Sequence, residues 1–227
     1  GPRSLFRGNL AAPIAYDCRM IQGAIIGLIV GLVMVGIRFV QQKKGGKQVV
    51  AALKQGGPAA REALDGYVKP VQGKVSAQKL LNLLERYAWM AIMGEHDALV
   101  QESQGIDGQL NVVTQLQAQA AVGLLAHRTE AGDLAFLRSV ADRIDHEGGA
   151  LSGLVKKQTR DLEIVARALD TRQLDPEALQ RVVGRARQMG PAGKITRLRF
   201  ATRAVEMAGG DASQLRQEAD ALLASLG

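Results

Sequence analysis

The feature that most constrains this chain is an uninterrupted apolar run, Met20–Ile37, reading MIQGAIIGLIVGLVMVGI. It holds 18 residues without a charge, and Gln22 is its one polar side chain apart from glycine backbone. As a helix rising 1.5 Å per residue it would be roughly 27 Å long, close to a hydrocarbon core of about 30 Å. Arg19 and Arg38 bracket it. Their stems can lie along lipid while the charges reach the headgroups, and Phe39 and Val40 extend the apolar length. A cleaved signal peptide would have a shorter apolar core ending in a small-x-small site, and Ile37-Arg38-Phe39-Val40 offers none. A buried core helix would usually keep a polar face, which this run lacks. The reading is a single-pass transmembrane helix over 20–40. Before it stands an N-terminal tail, 1–19, whose native origin the opening Gly-Pro leaves open. After it come a polar linker, 41–47 (QQKKGGK), and an α-helical soluble domain, 48–227.

Basic residues around a span set its orientation. Arg3, Arg7 and Arg19 precede the run, with Asp17 against them, whereas Arg38, Lys43, Lys44, Lys47 and Lys54 follow it with no acid before Glu62. The bias favours the cytoplasmic side for the C-terminal domain. Gly23, Gly27 and Gly31 recur at four-residue spacing, a groove that lets a second membrane helix, from another copy or a partner, approach closely. Cys18 is the only cysteine, so no intrachain disulfide framework exists, and it reads as an ordinary small residue.

From Lys47 onward Ala, Leu, Gln, Glu and Arg dominate, all good helix formers. Aromatics are only 4% of the chain, which disfavours a strand-rich fold. The expected class is all-α. Gly, Pro and Asp punctuate helices near 47–55, 58–68, 76–93, 96–104, 109–127, 131–146, 150–171, 175–188, 192–208 and 212–226. Leu151, Leu154, Val155, Leu162, Val165, Ala166 and Leu169 recur on one face of the seventh, with Lys156, Arg160, Glu163 and Arg167 opposite. Asp175-Pro176 is a cap followed by a first-turn proline, and Gly57-Pro58 and Gly190-Pro191 are stop-then-start pairs.

An internal echo runs through the body. Asp133, Asp175 and Asp211 each stand four before a leucine (Leu137, Leu179, Leu215), followed four on by Ala141, Val183 and Ala219 and then by Ile144, Ala186 and Leu222. Each aspartate is expected to cap a helix, with a second helix between successive echoes. This layout, with the aromatics of Arg86-Tyr87-Ala88-Trp89, resembles tetratricopeptide-type and related α-solenoid repeats. The Leu-Gly and later Ala, Phe and Pro of the strict pattern are missing, and the echo spacing is unequal. The resemblance implies stacked antiparallel hairpins presenting a protein-binding surface, the alternative being an irregular helical bundle.

Residue patterns that carry chemistry are few in this chain. His96, His127 and His146 fit no metal-ligand spacing and read as helix-end or solvated residues. No GxxxxGK[ST], GxSxG or strand-linked GxGxxG occurs. No catalytic residue, metal site or cofactor is expected. The unusual surface feature is a basic stretch, Arg181, Arg185, Arg187, Lys194, Arg197, Arg199 and Arg203, within which no acid falls between Glu177 and Glu206. The net charge is +7, so an anionic partner or lipid face fits. Phe200 is the only aromatic there, which speaks against base stacking on nucleic acid. The expected function is non-enzymatic: a membrane-anchored scaffold or interaction module docking a partner at the bilayer. The alternatives are an accessory subunit of a larger membrane complex, and an enzyme whose site sequence alone does not reveal.

Overall fold

A computed structural model describes residues 44–128, 130–146 and 152–227. The membrane-span and glycine-face expectations on 20–40 lie outside them. The described residues belong to one compact unit, Gln41–Gly227. Among them no helix is long and apolar enough to cross a membrane.

The body is all-α. Its helices are α1 (44–53), α2 (Gly57–Tyr67), α3 (Leu80–Ile92), α4 (His96–Gln104) and α5 (Leu110–His127). They continue with α6 (Ala131–His146), α7 (Gly153–Thr171), α8 (Pro176–Ala186), α9 (Pro191–Met207) and α10 (Ser213–Ala224). Each begins and ends within four residues of its expected position, the largest offset being at α3, where residues 77–79 form a 3-10 turn before the helix. The expected linker overlaps α1, since Lys44–Lys47 are helical and Gly45 and Gly46 are buried. A Cβ on Gly45 would sit 2.3 Å from the Tyr67 ring, and one on Gly46 3.1 Å from Trp89. These glycines permit close packing.

Two strands escape a reading based on periodicity. β1 (Gly73–Val75) pairs in parallel with β2 (Ile106–Gly108), Lys74 opposite Asp107. Three residues are too few to display alternation. Gly108 has φ of 147°, and a Cβ there would meet the Val75 carbonyl oxygen at 2.6 Å, so the ladder needs glycine at this position.

Two helices organise the core. α5 packs against α3, α4, α6 and α7, and α9 against α3, α5, α7, α8 and α10. One apolar cluster gathers Leu83, Tyr87, Trp89, Leu99, Leu116 and Ile195; a second gathers Val122, Leu137, Leu162, Val165, Val182 and Phe200. Both α5 and α9 contribute to each, which is why α5 is buried almost all round. The echo is only partly realised. Asp175 caps α8, its carboxylate accepting from the Ala178 N–H at 2.9 Å. Asp133 lies inside α6, buried, accepting from the Glu130 N–H and from Arg128. Asp211 stands two residues before α10 and accepts from the Ser213 N–H in a local turn. Leu154, expected on the buried face of α7, is 63% exposed, because that face meets the core only from Val155 onward.

The α3–α5 contact closes at Gly123, where an added Cβ would lie 2.8 Å from the Ala91 Cβ. Gly123→Val is expected to cost about 1–3 kcal/mol by overpacking. Gly184→Ala, at an α8 position with nothing within 4 Å, is expected to gain about 0.5–1 kcal/mol. Urea unfolding of the two variants checks both signs.

Candidate functional site

The sequence Glu85-Arg86 places two charges within the apolar helix α3, and both are buried. Successive helical residues point about 100° apart, so the two find different partners. The Arg86 guanidinium forks onto Glu102 of α4, with Nε to Oε2 at 2.8 Å and Nη2 to Oε1 at 2.7 Å. Its Nη1 donates to Asp65 at 2.7 Å and to the Val68 carbonyl at 2.8 Å. Arg61 adds a second cation on Glu102 at 2.9 Å. Burial opposes the charge on Arg86, but Glu102 and Asp65 outweigh it and hold its pKa above the ordinary arginine value. This network joins α2, α3 and α4.

Glu85 reaches the start of α9. Pro191 opens that helix and Gly190 supplies no side-chain cap. The Glu85 carboxylate instead accepts from the Ala192 N–H at 2.9 Å and the Gly193 N–H at 3.2 Å. Burial outweighs these donors and pushes its carboxyl up to about 7.

His96 opens α4 and His127 closes α5, helix-end positions as expected. Their rings lie 6.5 Å apart, and the Nε2 atom of each is buried without a hydrogen bond. Burial, with Arg199, His96 and Arg203 nearby, pulls His127 down to about 4. Among the described residues no group of three or more His, Cys, Asp or Glu is placed to hold a metal ion.

The basic stretch does not form one open patch. Arg181 and Arg185 turn to Asp161 of α7 at 3.0 and 2.8 Å. Lys194 pairs with Glu218 at 2.8 Å and Arg199 with Asp220 at 3.5 Å, both acids on α10. Arg203 lies near His127, and Arg187 is exposed. The acids absent from the local sequence are brought in by tertiary packing.

Arg197 differs from Arg181, Arg185, Lys194 and Arg199. No described carboxylate pairs with it; its Nε and Nη2 donate to the Gln119 side-chain oxygen at 3.2 and 3.0 Å. Gln119 is buried on α5, and its amide orientation is set because arginine offers only donors. Burial, with Arg185 beside it, pulls Arg197 down to about 10. Arg197 and Arg185 line a cavity of about 190 Å³, together with Leu84, Ala118, Leu162 and Met189. It is the candidate site, and periodicity does not reveal it, because its lining comes from α3, α5, α7, the α8 end and α9. The sequence signal was the acid-free basic stretch, which does not distinguish Arg197 from its neighbours.

The class defined by these observations is an all-α helical domain. No family model, no curated protein and no solved structure matches the chain.

Two groups give the domain opposite pH responses. Glu85 is raised in the folded state, so its contribution to stability is full at acid pH and is lost as pH rises from the ordinary 4.5 through about 7. Glu85→Gln is expected to remove that decline. His127 is lowered, so stability falls as pH drops from 6.5 through about 4, where only the unfolded chain accepts the proton. His127→Phe is expected to flatten that limb. Unfolding free energies across this pH range, for each variant against the parent, separate the two.

Proposed function

We propose that this protein is a membrane-anchored, non-enzymatic docking module: a transmembrane helix over 20–40 places a helical body at the bilayer, where the body binds a partner protein. The observation that carries this reading is the uncharged run Met20–Ile37. Only residues 38–43 separate it from the first described helical residue. An inserted run would hold the body close to the lipid surface, since six residues reach about 20 Å at most. The basic excess beyond the run supports a cytoplasmic body. Contact between α9 and α3 favours an irregular bundle over an open solenoid, whose units touch only neighbours.

A second reading has its own observation. Gly23, Gly27 and Gly31 on one helical face suit close packing against another membrane helix, as in an accessory subunit of a larger membrane complex.

Pull-down from detergent-solubilised membranes tests both, using the full chain beside a variant with Gly23, Gly27 and Gly31 changed to Leu. Soluble partners retained equally by both chains support docking through the body. Membrane proteins retained only by the parent support the accessory-subunit reading. Recovery of the full chain without its apolar run embedded in membranes, as judged by carbonate extraction, overturns the anchor and both readings with it.

A further inference from the structure

We propose that the cavity between α3, α5, α7, α8 and α9 is a binding site for a small organic acid, its carboxylate held by Arg197 and its apolar body seated against Leu84, Ala118, Leu162 and Met189.

The charge arrangement is the first argument. Asp161 is nearly fully buried and is shared by Arg181 and Arg185. Arg197 beside them has only the neutral carbonyl of Gln119. Arg197 is half-buried where it lines the cavity; a cation partly withdrawn from water is expected to be paired, and here no described acid does so. A carboxylate from outside would complete the arrangement with charge-assisted hydrogen bonds, and the planar guanidinium suits its geometry. Gln119 occupies Nε and one position on Nη2, and Nη1 has no partner among the described residues.

The lining is the second argument. Beside the two cations the lining has four apolar side chains and four neutral polar ones, Gln115, Gln158, Thr159 and Gln188; the apolar part suits an amphiphilic ligand, since a free inorganic ion would leave that surface unused. A cavity of about 190 Å³ exceeds the ~150 Å³ that accommodates benzene in an apolar protein interior. An aromatic or short-chain monocarboxylate therefore fits. Two exposed leucines stand one helical turn from lining residues. Leu81 lies one turn before Leu84 on α3, and Leu154 one turn before Gln158 on α7; both are exposed, at 53% and 63%. A longer chain could follow these faces out of the cavity.

Benzoate, its neutral isostere benzamide and inorganic phosphate are the probes, titrated by calorimetry into the full-length detergent-solubilised protein. Saturable benzoate binding, at least about tenfold tighter than benzamide, is the expected result. Arg197→Met is expected to abolish that preference, so that the two probes bind alike. Gln188→Glu, at an exposed lining residue, places a competing carboxylate by the cavity without disturbing the core. It is expected to weaken benzoate severalfold and leave benzamide unchanged, which keeps the test decisive if Arg197→Met does not fold. Absence of saturable benzoate binding overturns the proposal. So does benzoate binding that both variants retain, or phosphate binding tighter than benzoate.

Discussion

The Arg86 guanidinium is fully buried, and the order of the first helices follows from what must be done about it. A buried arginine is tolerated only if its donors are met. Glu102 takes two of them from α4, and Asp65 and the Val68 carbonyl take others from the end of α2. Removing one partner of such a buried pair typically costs about 3–5 kcal/mol, because the other charge is left uncompensated. The network does little to explain stability in excess of a packed apolar core. What it supplies is position: α2 and α4 have few fully buried apolar residues of their own, Ala60 and Leu64 on one, Leu99 on the other. Polar geometry therefore selects their register against α3.

One residue earlier, Glu85 turns the same helix toward the far end of the chain. Its carboxylate satisfies two orphan N–H groups of α9, a task usually given to a local capping side chain. The start of α9 is thus set by a residue more than a hundred positions away. From that start, α9 crosses α3 and α5, which turns its basic residues in different directions. Lys194 and Arg199 meet α10, and Arg197 enters the polar gap beside Gln119. The same crossing that neutralises most of the stretch isolates Arg197 next to a cavity. In this way a requirement of folding, that α9 be capped by α3, shapes a concave surface beside Arg197.

The domain carries ionisable groups whose burial is not fully offset, Glu85, His127 and Arg197. The first two lie at helix ends or against them, where backbone dipoles and neighbouring charges act at short range. Of these three, Arg197 lines the cavity, beside Arg185. Departures from local rules of charge satisfaction concentrate at structural joints and binding sites, and the distribution here fits both: two joints and one cavity.

What the sequence by itself determined is considerable. Helix number, limits and class were legible, because Asp175-Pro176 and Gly190-Pro191 act within one or two residues and helical periodicity repeats every turn. The apolar run Met20–Ile37 was likewise legible, since its length and lack of charge are properties of the chain alone. The β1–β2 ladder was not, being three residues on each side and dependent on Gly108. The roles of Asp133 and Asp211 were misread as caps, because a similar spacing to a leucine arises inside a helix and before one. The fate of the basic stretch was decided only by tertiary structure. A one-dimensional window sees no acid near Arg185, Lys194 or Arg199, whereas packing brings Asp161, Glu218 and Asp220 to them. Electrostatic pairing acts through space over a few ångströms. Only the crossing of α9 over α5 could show that Arg197 meets the Gln119 amide and a cavity instead of a carboxylate.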